Sequence, residues 1–367
     1  MNIYKKLILS FVSFSLICCS KFKLLDTIEP DDPNIQYVGR IDYSDPKSVQ
    51  FSYPGVMIKA KFEGRTCNLL LKNLSDQHVY KNYYNLLIDD QPPFVIGISN
   101  FDKKYELELP NDGEHTITIF KRTESFVGKG IFEGFELERG KKLLPLNDVP
   151  KRKIEFIGNS VTCGFGNEGD SATCHFTPET ENNYMAYGAI TARSLQAEYM
   201  AVAYSGKGIS QNYDQSDKET MPDIYDRIFP EQASPVWDFK RWIPDVVVIN
   251  LGTNDFAHRV DSALFVSNYV HFLEKVKANY PKASIFCIEG CMTTDDWPEG
   301  MKSLTTVKNY INVAMQSLYS KGEQNIYTFF PTTMQEGEIG CDWHPKVIRH
   351  QKMADELTTF IKEKTGW

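Results

Sequence analysis

Hydrophobic and polar positions follow two different patterns along the chain. Over residues 36–137, short runs of alternating or continuous apolar residues are separated by turn residues. Residues 56–62 and 66–71, joined by a turn at residues 63–65, predict a hairpin. Because no helical period of useful length intervenes, the pattern predicts an all-β, jelly-roll-like sandwich over residues 35–140.

The second pattern follows a polar linker at residues 141–152 and alternates short apolar segments with helical ones. Helical spacing of three and four residues is clear around Val266, Tyr269 and Leu273. The apolar segments have the composition of strands that are covered on both faces. The alternation predicts an α/β, doubly wound, flavodoxin-like domain over residues 153–367, with ligands at the carboxyl ends of a five-stranded parallel sheet. The predicted strands are residues 154–157, 199–203, 246–251, 284–288 and 326–330.

Residues 1–19 differ in kind from the rest of the chain. Lys5 and Lys6 precede an apolar run, residues 7–17, that is too short to span a bilayer and is followed by polar sequence. This layout predicts a secretory signal peptide. The run ends in a Cys-Cys-Ser sequence that resembles a bacterial lipoprotein cleavage site, with Cys19 as the lipidated residue. We therefore expect an exported protein, either a lipoprotein of the periplasm or cell surface or a secreted protein.

The charge of the chain excludes one class of partner. Lys and Arg number 40 and Asp and Glu number 48, which gives a net charge of -8. A nucleic-acid binder carries a basic patch or stripe, and no long basic run is present. We expect no nucleic-acid partner, and contact with a membrane only through the predicted lipid anchor.

The remaining cysteines leave two interpretations open. An even number in an exported chain is compatible with disulfides, but also with burial as small apolar side chains. Cys287 and Cys291 are four residues apart, but no second pair of His or Cys residues lies nearby, so no zinc site is predicted. No nucleotide or flavin motif is present, and we expect no cofactor and no metal. These six cysteines are Cys67, Cys163, Cys174, Cys287, Cys291 and Cys341.

Polar residues follow two of the predicted strands at their carboxyl ends. Ser160, in the sequence Gly-Asn-Ser, comes directly after the first strand of the parallel sheet and is either a nucleophile at the mouth of the sheet or a helix cap. Asn254 follows the third strand, where its side chain can donate to a developing oxyanion or can form a simple turn with Asp255.

A third polar segment, Asp342-Trp343-His344, precedes the last predicted helix. In an extended segment the side chains of Asp342 and His344 point the same way, so the carboxylate can accept the imidazole N–H while the other nitrogen faces a nucleophile. A cap followed by a surface histidine is the alternative. His258 lies close to Asn254 in sequence, but it has no partner carboxylate at matching spacing, and we expect a structural role for it.

Together the three segments resemble the SGNH hydrolase superfamily, also called GDSL-like, over residues 153–367. The order is the one found there, with Gly-Asn-Ser first, Gly-Thr-Asn-Asp next and Asp-Trp-His last. The preceding sandwich, the sequence Gly-Asn-Ser-Val-Thr-Cys-Gly and the closing Asp-Trp-His-Pro resemble carbohydrate esterase family 2. This narrower resemblance covers nearly the whole chain after the signal segment.

The resemblance implies a role for each matching residue. Ser160 is the expected nucleophile and His344 the general base, with Asp342 orienting His344. Some members of the narrower family resemble dyad enzymes, in which a backbone carbonyl steadies the imidazole instead of a carboxylate, so the role of Asp342 stays open.

The resemblance also implies an oxyanion hole. Its expected donors are the Ser160 N–H, the Asn254 side chain and a glycine N–H from the loop after the second strand. Gly206 fits the superfamily pattern best, and Gly208 is the alternative.

The implied function is a serine carbohydrate O-acetyl esterase. It removes acetyl groups from plant-type polysaccharides or oligosaccharides, such as xylan or glucomannan, through an acyl-enzyme. Trp343 and Trp297 are candidates for a surface on which a sugar ring stacks, with ordinary packing as the alternative. Two other functions stay open: a non-catalytic glycan-binding protein, and an esterase that acts on a lipid or another acyl donor.

Overall fold

The computed structural model describes residues 24–75 and 81–367. The predicted signal peptide and Cys19 lie outside these residues. In the part of the chain that is described, no helix has the length and apolar character needed to cross a bilayer.

Within the described residues, ten strands form a sandwich of two antiparallel sheets, which confirms the predicted all-β domain. One sheet has the order β1-β9-β3, with β5 also paired to β9, and the other has the order β10-β4-β8-β6-β7, with β2 also paired to β4. In chain order the strands are β1 (Leu25–Ile28), β2 (Gln36–Val38), β3 (Val49–Phe51), β4 (Met57–Glu63), β5 (Cys67–Leu74), β6 (Asn82–Ile88), β7 (Phe94–Ile98), β8 (Glu114–Lys121), β9 (Lys129–Glu138) and β10 (Leu143–Leu144).

The predicted hairpin between residues 56–62 and 66–71 is wrong. β4 pairs with β8 in one sheet, whereas β5 pairs with β9 in the other, so the turn between them crosses from sheet to sheet. The reason is that alternate residues of both strands are apolar and buried in one core, where Ile58 and Phe62 of β4 share a cluster with Leu69 of β5.

Two strands lie outside the bounds that the sequence predicted for the sandwich. β1 precedes residue 35 and pairs with β9, with Leu25 opposite Glu138. β10 lies in the predicted linker and pairs with β4, with Leu143 opposite Phe62. Both strands are short edge strands, so neither is long enough to produce an alternating pattern that the sequence reveals.

The second half of the chain forms the predicted five-stranded parallel sheet, in the order β12-β11-β13-β14-β15. Its strands are β11 (Arg152–Gly158), β12 (Ala197–Ala203), β13 (Val246–Asn250), β14 (Ser284–Ile288) and β15 (Ile326–Phe329). The helices are α1 (Ser160–Cys163), α2 (Tyr187–Ser194), α3 (Met221–Ile224), α4 (Ser262–Asn279), α5 (Ser303–Ser320) and α6 (Val347–Thr365). Short 3-10 helices span Ser125–Val127, Pro178–Thr180, Asn183–Met185, Asp255–Ala257 and Cys341–Trp343.

Helices cover both faces of this sheet, as a doubly wound domain requires. On one face, Tyr269 of α4 and Ile311 of α5 pack with Ile249 of the central strand. On the other face, Leu357 of α6 packs with Val248, the neighbouring residue on the same strand. Adjacent residues therefore point to opposite cores, and all five carboxyl ends are left at one edge of the sheet.

A buried arginine connects the sandwich to the parallel sheet. Arg40 is fully buried and donates to Glu155 of β11 at 3.2 Å and to the carbonyl oxygen of Arg227 at 3.0 Å. It also donates to the carbonyl oxygen of Tyr225, whose hydroxyl donates to Glu155 at 2.9 Å. Because both charged groups are removed from water, each depends on the other for compensation.

This pair predicts a large loss of stability for Arg40→Met. The substitution leaves the Glu155 carboxylate buried without its counter-charge, which typically costs about 3–5 kcal/mol. Urea denaturation checks the free energy of unfolding, and the double variant Arg40→Met/Glu155→Leu should recover most of the loss. A loss below about 1 kcal/mol in the single variant would contradict a buried ion pair, since that is the scale of exposed pairs.

Candidate active site

Ser160 is placed by a tight turn at the carboxyl end of β11, which lies between β12 and β13 in the parallel sheet. The strand ends at Gly158, and the side chain of Asn159 caps α1 by accepting from the Val161 N–H at 3.1 Å. A β-carbon at Gly158 would lie 2.0 Å from Thr162 Oγ1, so the turn requires glycine there. Ser160 is thus the first residue of the helix, with its hydroxyl at the sheet edge.

His344 lies against this serine. Its Nε2 atom is 2.8 Å from Ser160 Oγ, and its Nδ1 atom is 2.9 Å from the backbone carbonyl oxygen of Asp342. A carbonyl oxygen only accepts hydrogen bonds, so Nδ1 carries the proton and Nε2 is left as the acceptor for the serine hydroxyl. This is the tautomer that a general base needs.

The predicted contact between the Asp342 carboxylate and His344 is wrong. The carboxylate accepts instead from His175 Nδ1 at 3.0 Å and from the Phe176 N–H at 2.8 Å. The cause is the backbone, because Asp342 and Trp343 have left-handed φ angles of 49° and 64° and the segment is not extended. Of the two possibilities that the resemblance left open, the geometry matches the backbone carbonyl.

A disulfide and a stack of rings hold the histidine segment in place. Cys174 and Cys341 are bonded, and the Asp342 N–H donates to the Cys174 carbonyl oxygen at 2.9 Å. The ring of Phe165 lies on His344 with 4.4 Å between ring centres. The side chains that surround His344 therefore restrict its rotation.

Both interpretations of the six cysteines, disulfide bonding and burial as free thiols, apply to some of them. One pair, Cys174–Cys341, forms a disulfide across 167 residues of sequence. The other four of the six cysteines are free and buried, as small apolar side chains would be: Cys67, Cys163, Cys287 and Cys291.

Two backbone N–H groups near Ser160 are available for an oxyanion. β12 pairs with β11 up to Ala203, and the Tyr204 N–H donates to the Gly158 carbonyl oxygen at 3.2 Å, which brings the following loop beside Ser160. Within residues 24–75 and 81–367, the N–H groups of Ser160 and Gly206 donate to no protein acceptor. A β-carbon at Gly206 would meet nothing within 4 Å, so this glycine faces open space.

The other two predicted oxyanion donors are already engaged, to different degrees. The Gly208 N–H donates to Asn212 Oδ1 at 3.1 Å, which leaves Gly206 as the better candidate. Asn254 Nδ2 donates one hydrogen to the Lys207 carbonyl oxygen at 2.8 Å. An amide NH₂ carries two hydrogens, so the second stays available while the first ties Asn254 to the Gly206 loop.

Asp255, which the sequence predicted only as part of a turn, holds the same loop in place. The carboxylate of Asp255 is fully buried and accepts from three consecutive N–H groups at distances of 2.9, 2.7 and 3.1 Å. Burial raises the pKa of Asp255 to about 6, and these hydrogen bonds oppose the shift. The three donors are Ile209, Ser210 and Gln211.

Three aromatic side chains of the hydrolase domain that lie outside its strands and α-helices are exposed. Trp343, next to His344, is 62% exposed, and Trp297, in the loop after β14, is 60% exposed, so neither indole is used for core packing. Tyr213, which the sequence analysis missed, is also exposed, and its N–H donates to the Gly206 carbonyl oxygen at 2.9 Å. His258 Nε2 bonds the Tyr213 carbonyl oxygen at 2.9 Å, a contact that supports the loop.

The sequence matches two families that together cover most of the chain. Residues 37–146 match the family described as Carbohydrate esterase 2 N-terminal, and residues 156–339 match the GDSL-like Lipase/Acylhydrolase family. An acetylxylan esterase / glucomannan deacetylase of Cellvibrio japonicus is 31% identical over 342 residues, which are 88% of this chain and 87% of that protein.

Two further similarities are to proteins of Acetivibrio thermocellus and Clostridium thermocellum. A cellulase/esterase, CelE, of Acetivibrio thermocellus is 37% identical over 346 residues; the match covers 93% of this chain but 41% of the length of that protein. The structure of a family two carbohydrate esterase from Clostridium thermocellum, in complex with cellohexaose, has a TM-score of 0.81 and 35% identity. It covers 91% of this chain and 99% of that one.

The environment of His344 predicts how the reactivity of Ser160 depends on pH. Burial lowers the pKa of His344 to about 4, and the Asp342 backbone and carboxylate oppose the shift. The base form is therefore present above this value and is lost as pH falls through it. We expect the rate at which a fluorophosphonate modifies Ser160 to be constant above about pH 5.5 and to fall about tenfold per unit below pH 4.

The measurement is the labelling rate against pH, with Ser160→Ala as the control for background labelling. An inflection near 6.5, the ordinary histidine value, would contradict the effect of burial.

Proposed function

Because the chain belongs to carbohydrate esterase family 2, with a GDSL-like hydrolase domain behind its sandwich, we propose that it deacetylates plant-type polysaccharides or their oligosaccharides through an acyl-enzyme. The observation that carries the proposal is the 2.8 Å contact between Ser160 Oγ and His344 Nε2. The same contact favours an enzyme over the alternative of a protein that only binds glycan, since binding needs no activated serine.

The chemistry proceeds in two half-reactions. Ser160 Oγ attacks the acetyl carbonyl carbon while His344 Nε2 takes the hydroxyl proton. The imidazolium then gives this proton to the departing sugar hydroxyl, and the acetyl group stays on Ser160. In the second half, His344 takes a proton from water, whose oxygen attacks the acetyl-serine carbonyl carbon. The imidazolium then returns this proton to Ser160 Oγ as the bond to the acetyl group breaks and acetate leaves. The Asp342 carbonyl oxygen holds Nδ1–H throughout.

The negative oxygen that forms in each half needs donors already in place. The N–H groups of Ser160 and Gly206 and the free hydrogen of Asn254 are the candidates. Each fixed donor of this kind lowers a barrier by about 3–4 kcal/mol. Asn254 and Asp255 both bond the part of the loop that follows Gly206, and these bonds hold the loop in place before substrate arrives.

The carbohydrate part of the substrate has a surface to lie on. Trp343 follows Asp342 and precedes His344, so a sugar that stacks on its exposed indole is held next to the reacting serine. Trp297 offers a second exposed indole. Relatives described as acetylxylan esterase / glucomannan deacetylase support acetylated xylan and glucomannan as the substrates.

We also propose that the protein is exported and lipid-anchored. The support is the basic and apolar sequence of residues 1–19 and the cysteine at position 19. An exported esterase would meet polysaccharide outside the cytoplasm, where the proposed substrates occur.

Release of acetate tests the proposed reaction. The protein without residues 1–19 should release acetate from acetylated xylan or acetylated glucomannan, and Ser160→Ala should lose this activity by several orders of magnitude while its thermal unfolding is unchanged. Acetate is quantified enzymatically, and 4-nitrophenyl acetate serves as a small reporter ester. Release from neither polymer, or equal release by Ser160→Ala, would overturn the proposal.

Asp342→Asn separates the carbonyl from the carboxylate. Asn also tolerates the left-handed backbone and can accept from the Phe176 N–H, so the carbonyl that holds His344 stays in place. We expect kcat/KM for 4-nitrophenyl acetate to fall by less than about tenfold. A loss on the order of 10⁴, as when a triad carboxylate is replaced in a serine protease, would contradict the backbone role.

A further inference from the structure

Four ionisable side chains are fully buried where the sandwich meets the hydrolase domain, and the reaction described above uses none of them. Lys121 and Glu124 come from the end of β8 and the segment after it, Cys163 ends α1, and Glu181 follows the 3-10 helix Pro178–Thr180. Burying ionisable groups costs free energy unless each finds a partner. The partners of Glu124 show what the cluster does.

Glu124 bonds one residue with both of its carboxylate oxygens. Its Oε2 atom accepts from the Ser205 N–H at 2.8 Å, and its Oε1 atom accepts from the Ser205 hydroxyl. Ser205 directly precedes Gly206, so its backbone angles determine where the Gly206 N–H points. Two bonds to one residue fix its orientation as well as its position.

The backbone of Glu124 is itself held by its neighbours in the cluster. The Glu124 N–H donates to Glu181 Oε2 at 2.9 Å, and Lys121 Nζ donates to the Glu124 carbonyl oxygen at 3.1 Å. On the other side of Gly206, the Tyr213 N–H fixes the Gly206 carbonyl oxygen. The loop is therefore gripped before and after the glycine, and the grip before it comes from the sandwich.

The charges of the cluster can balance within the protein. Burial, together with the nearby Glu124 carboxylate, raises the pKa of Glu181 well above its usual range, and burial also raises the pKa of Glu124, which accepts both hydrogen bonds from Ser205. Burial lowers the pKa of Lys121 to about 7, and the carboxylates oppose the shift. Ligand atoms of Glu124, Cys163 and Glu181 lie within 4.8 Å of one another, with the Glu124 N–H on Glu181 Oε2 and Lys121 Nζ on the Glu124 carbonyl oxygen.

We infer that Glu124 is a positioning residue that aims the Gly206 N–H at the oxyanion, so that the sandwich supplies part of the esterase active site. This inference rests on the proposed function. It implies that the two domains form one catalytic unit, in which a residue remote from the substrate controls the geometry of a donor.

The test compares three variants on an oxygen ester and its sulfur analogue. Glu124→Ala removes both bonds to Ser205, whereas Glu124→Gln keeps the reach, since its amide can accept from the Ser205 N–H and donate to its hydroxyl. Ser205→Ala removes only the hydroxyl contact and carries little risk of misfolding. The substrates are 4-nitrophenyl acetate and 4-nitrophenyl thionoacetate, whose sulfur is a weaker and larger acceptor than oxygen.

If the Gly206 N–H no longer points at the oxyanion, kcat should fall while KM changes little. Removing one oxyanion donor costs about 10²–10³ in kcat, which sets the ceiling for Glu124→Ala. We expect Glu124→Ala to lose about 100-fold in kcat with KM changed less than about threefold, Ser205→Ala about tenfold, and Glu124→Gln to retain at least about a tenth of wild-type kcat. The preference for the oxygen ester over the thionoester should fall in Glu124→Ala and Ser205→Ala.

Arg40→Met is the matched control. Arg40 is another fully buried sandwich charge that bonds the hydrolase domain, through Glu155, Tyr225 and Arg227 and not through the Gly206 loop. It should lower stability while leaving kcat and the preference for the oxygen ester unchanged, measured at a temperature where it is folded.

Three results would overturn the inference. The first is a folded Glu124→Ala variant whose preference for the oxygen ester over the thionoester equals that of the wild type. If Glu124→Ala does not fold, the same result in Ser205→Ala would overturn the inference. An equal fall in Arg40→Met is the second, because it would assign the effect to general loosening. The third is a wild-type protein that is no more active than Ser160→Ala on either ester, which would overturn the proposed function as well. If the wild type is active and the Glu124 variants keep its kcat and its ester preference, only the present inference is overturned.

Discussion

The hydrogen bond from His344 Nδ1 to the carbonyl oxygen of Asp342 is the interaction on which the arrangement of this site depends. It fixes the tautomer, and so it determines that Nε2 faces Ser160 as an acceptor. A carbonyl carries no formal charge, so it orients the ring without the electrostatic pull of a carboxylate in direct contact, and the lowered pKa of His344 agrees with this. The bond requires left-handed backbone at Asp342 and Trp343, which the Cys174–Cys341 disulfide and the bonds to the Asp342 carboxylate support.

The second constraint is the orientation of the loop that carries Gly206. Glycine is needed for its positive φ of 81°, but Gly206 has no side chain with which to fix its own orientation. Its neighbours supply the restraint: Asp255 from the end of the third strand, and Glu124 from the sandwich. The contacts that join the sandwich to the hydrolase domain include the Glu124–Ser205 bonds at this loop and the Arg40–Glu155 pair. In this account the sandwich belongs to the mechanism.

The sequence predicts the frame of this site better than its details. The carboxyl ends of parallel strands meet at one edge, so an ordered set of polar motifs at such ends was enough to expect Ser160 and His344 together. The Asp342 contact was mispredicted because left-handed backbone at two non-glycine residues leaves no periodic signal. The disulfide spans 167 residues and Glu124 reaches Ser205 across a domain boundary, and neither pairing is encoded in local spacing. The hairpin prediction was wrong for a related reason, because a short turn can join two strands of the same sheet or connect a strand of one sheet to a strand of another.

In the proposed mechanism, Ser160 is activated by a histidine held on a backbone carbonyl and carries the acetyl group between the two half-reactions. Acid-quenching the enzyme during turnover of 4-nitrophenyl acetate, followed by mass spectrometry of its peptides, tests this most directly. We expect a peptide that contains Ser160 and is heavier by one acetyl group, and no such peptide from Ser160→Ala. Acetate release with the acetyl group on another residue, or on none at any quench time, would contradict it.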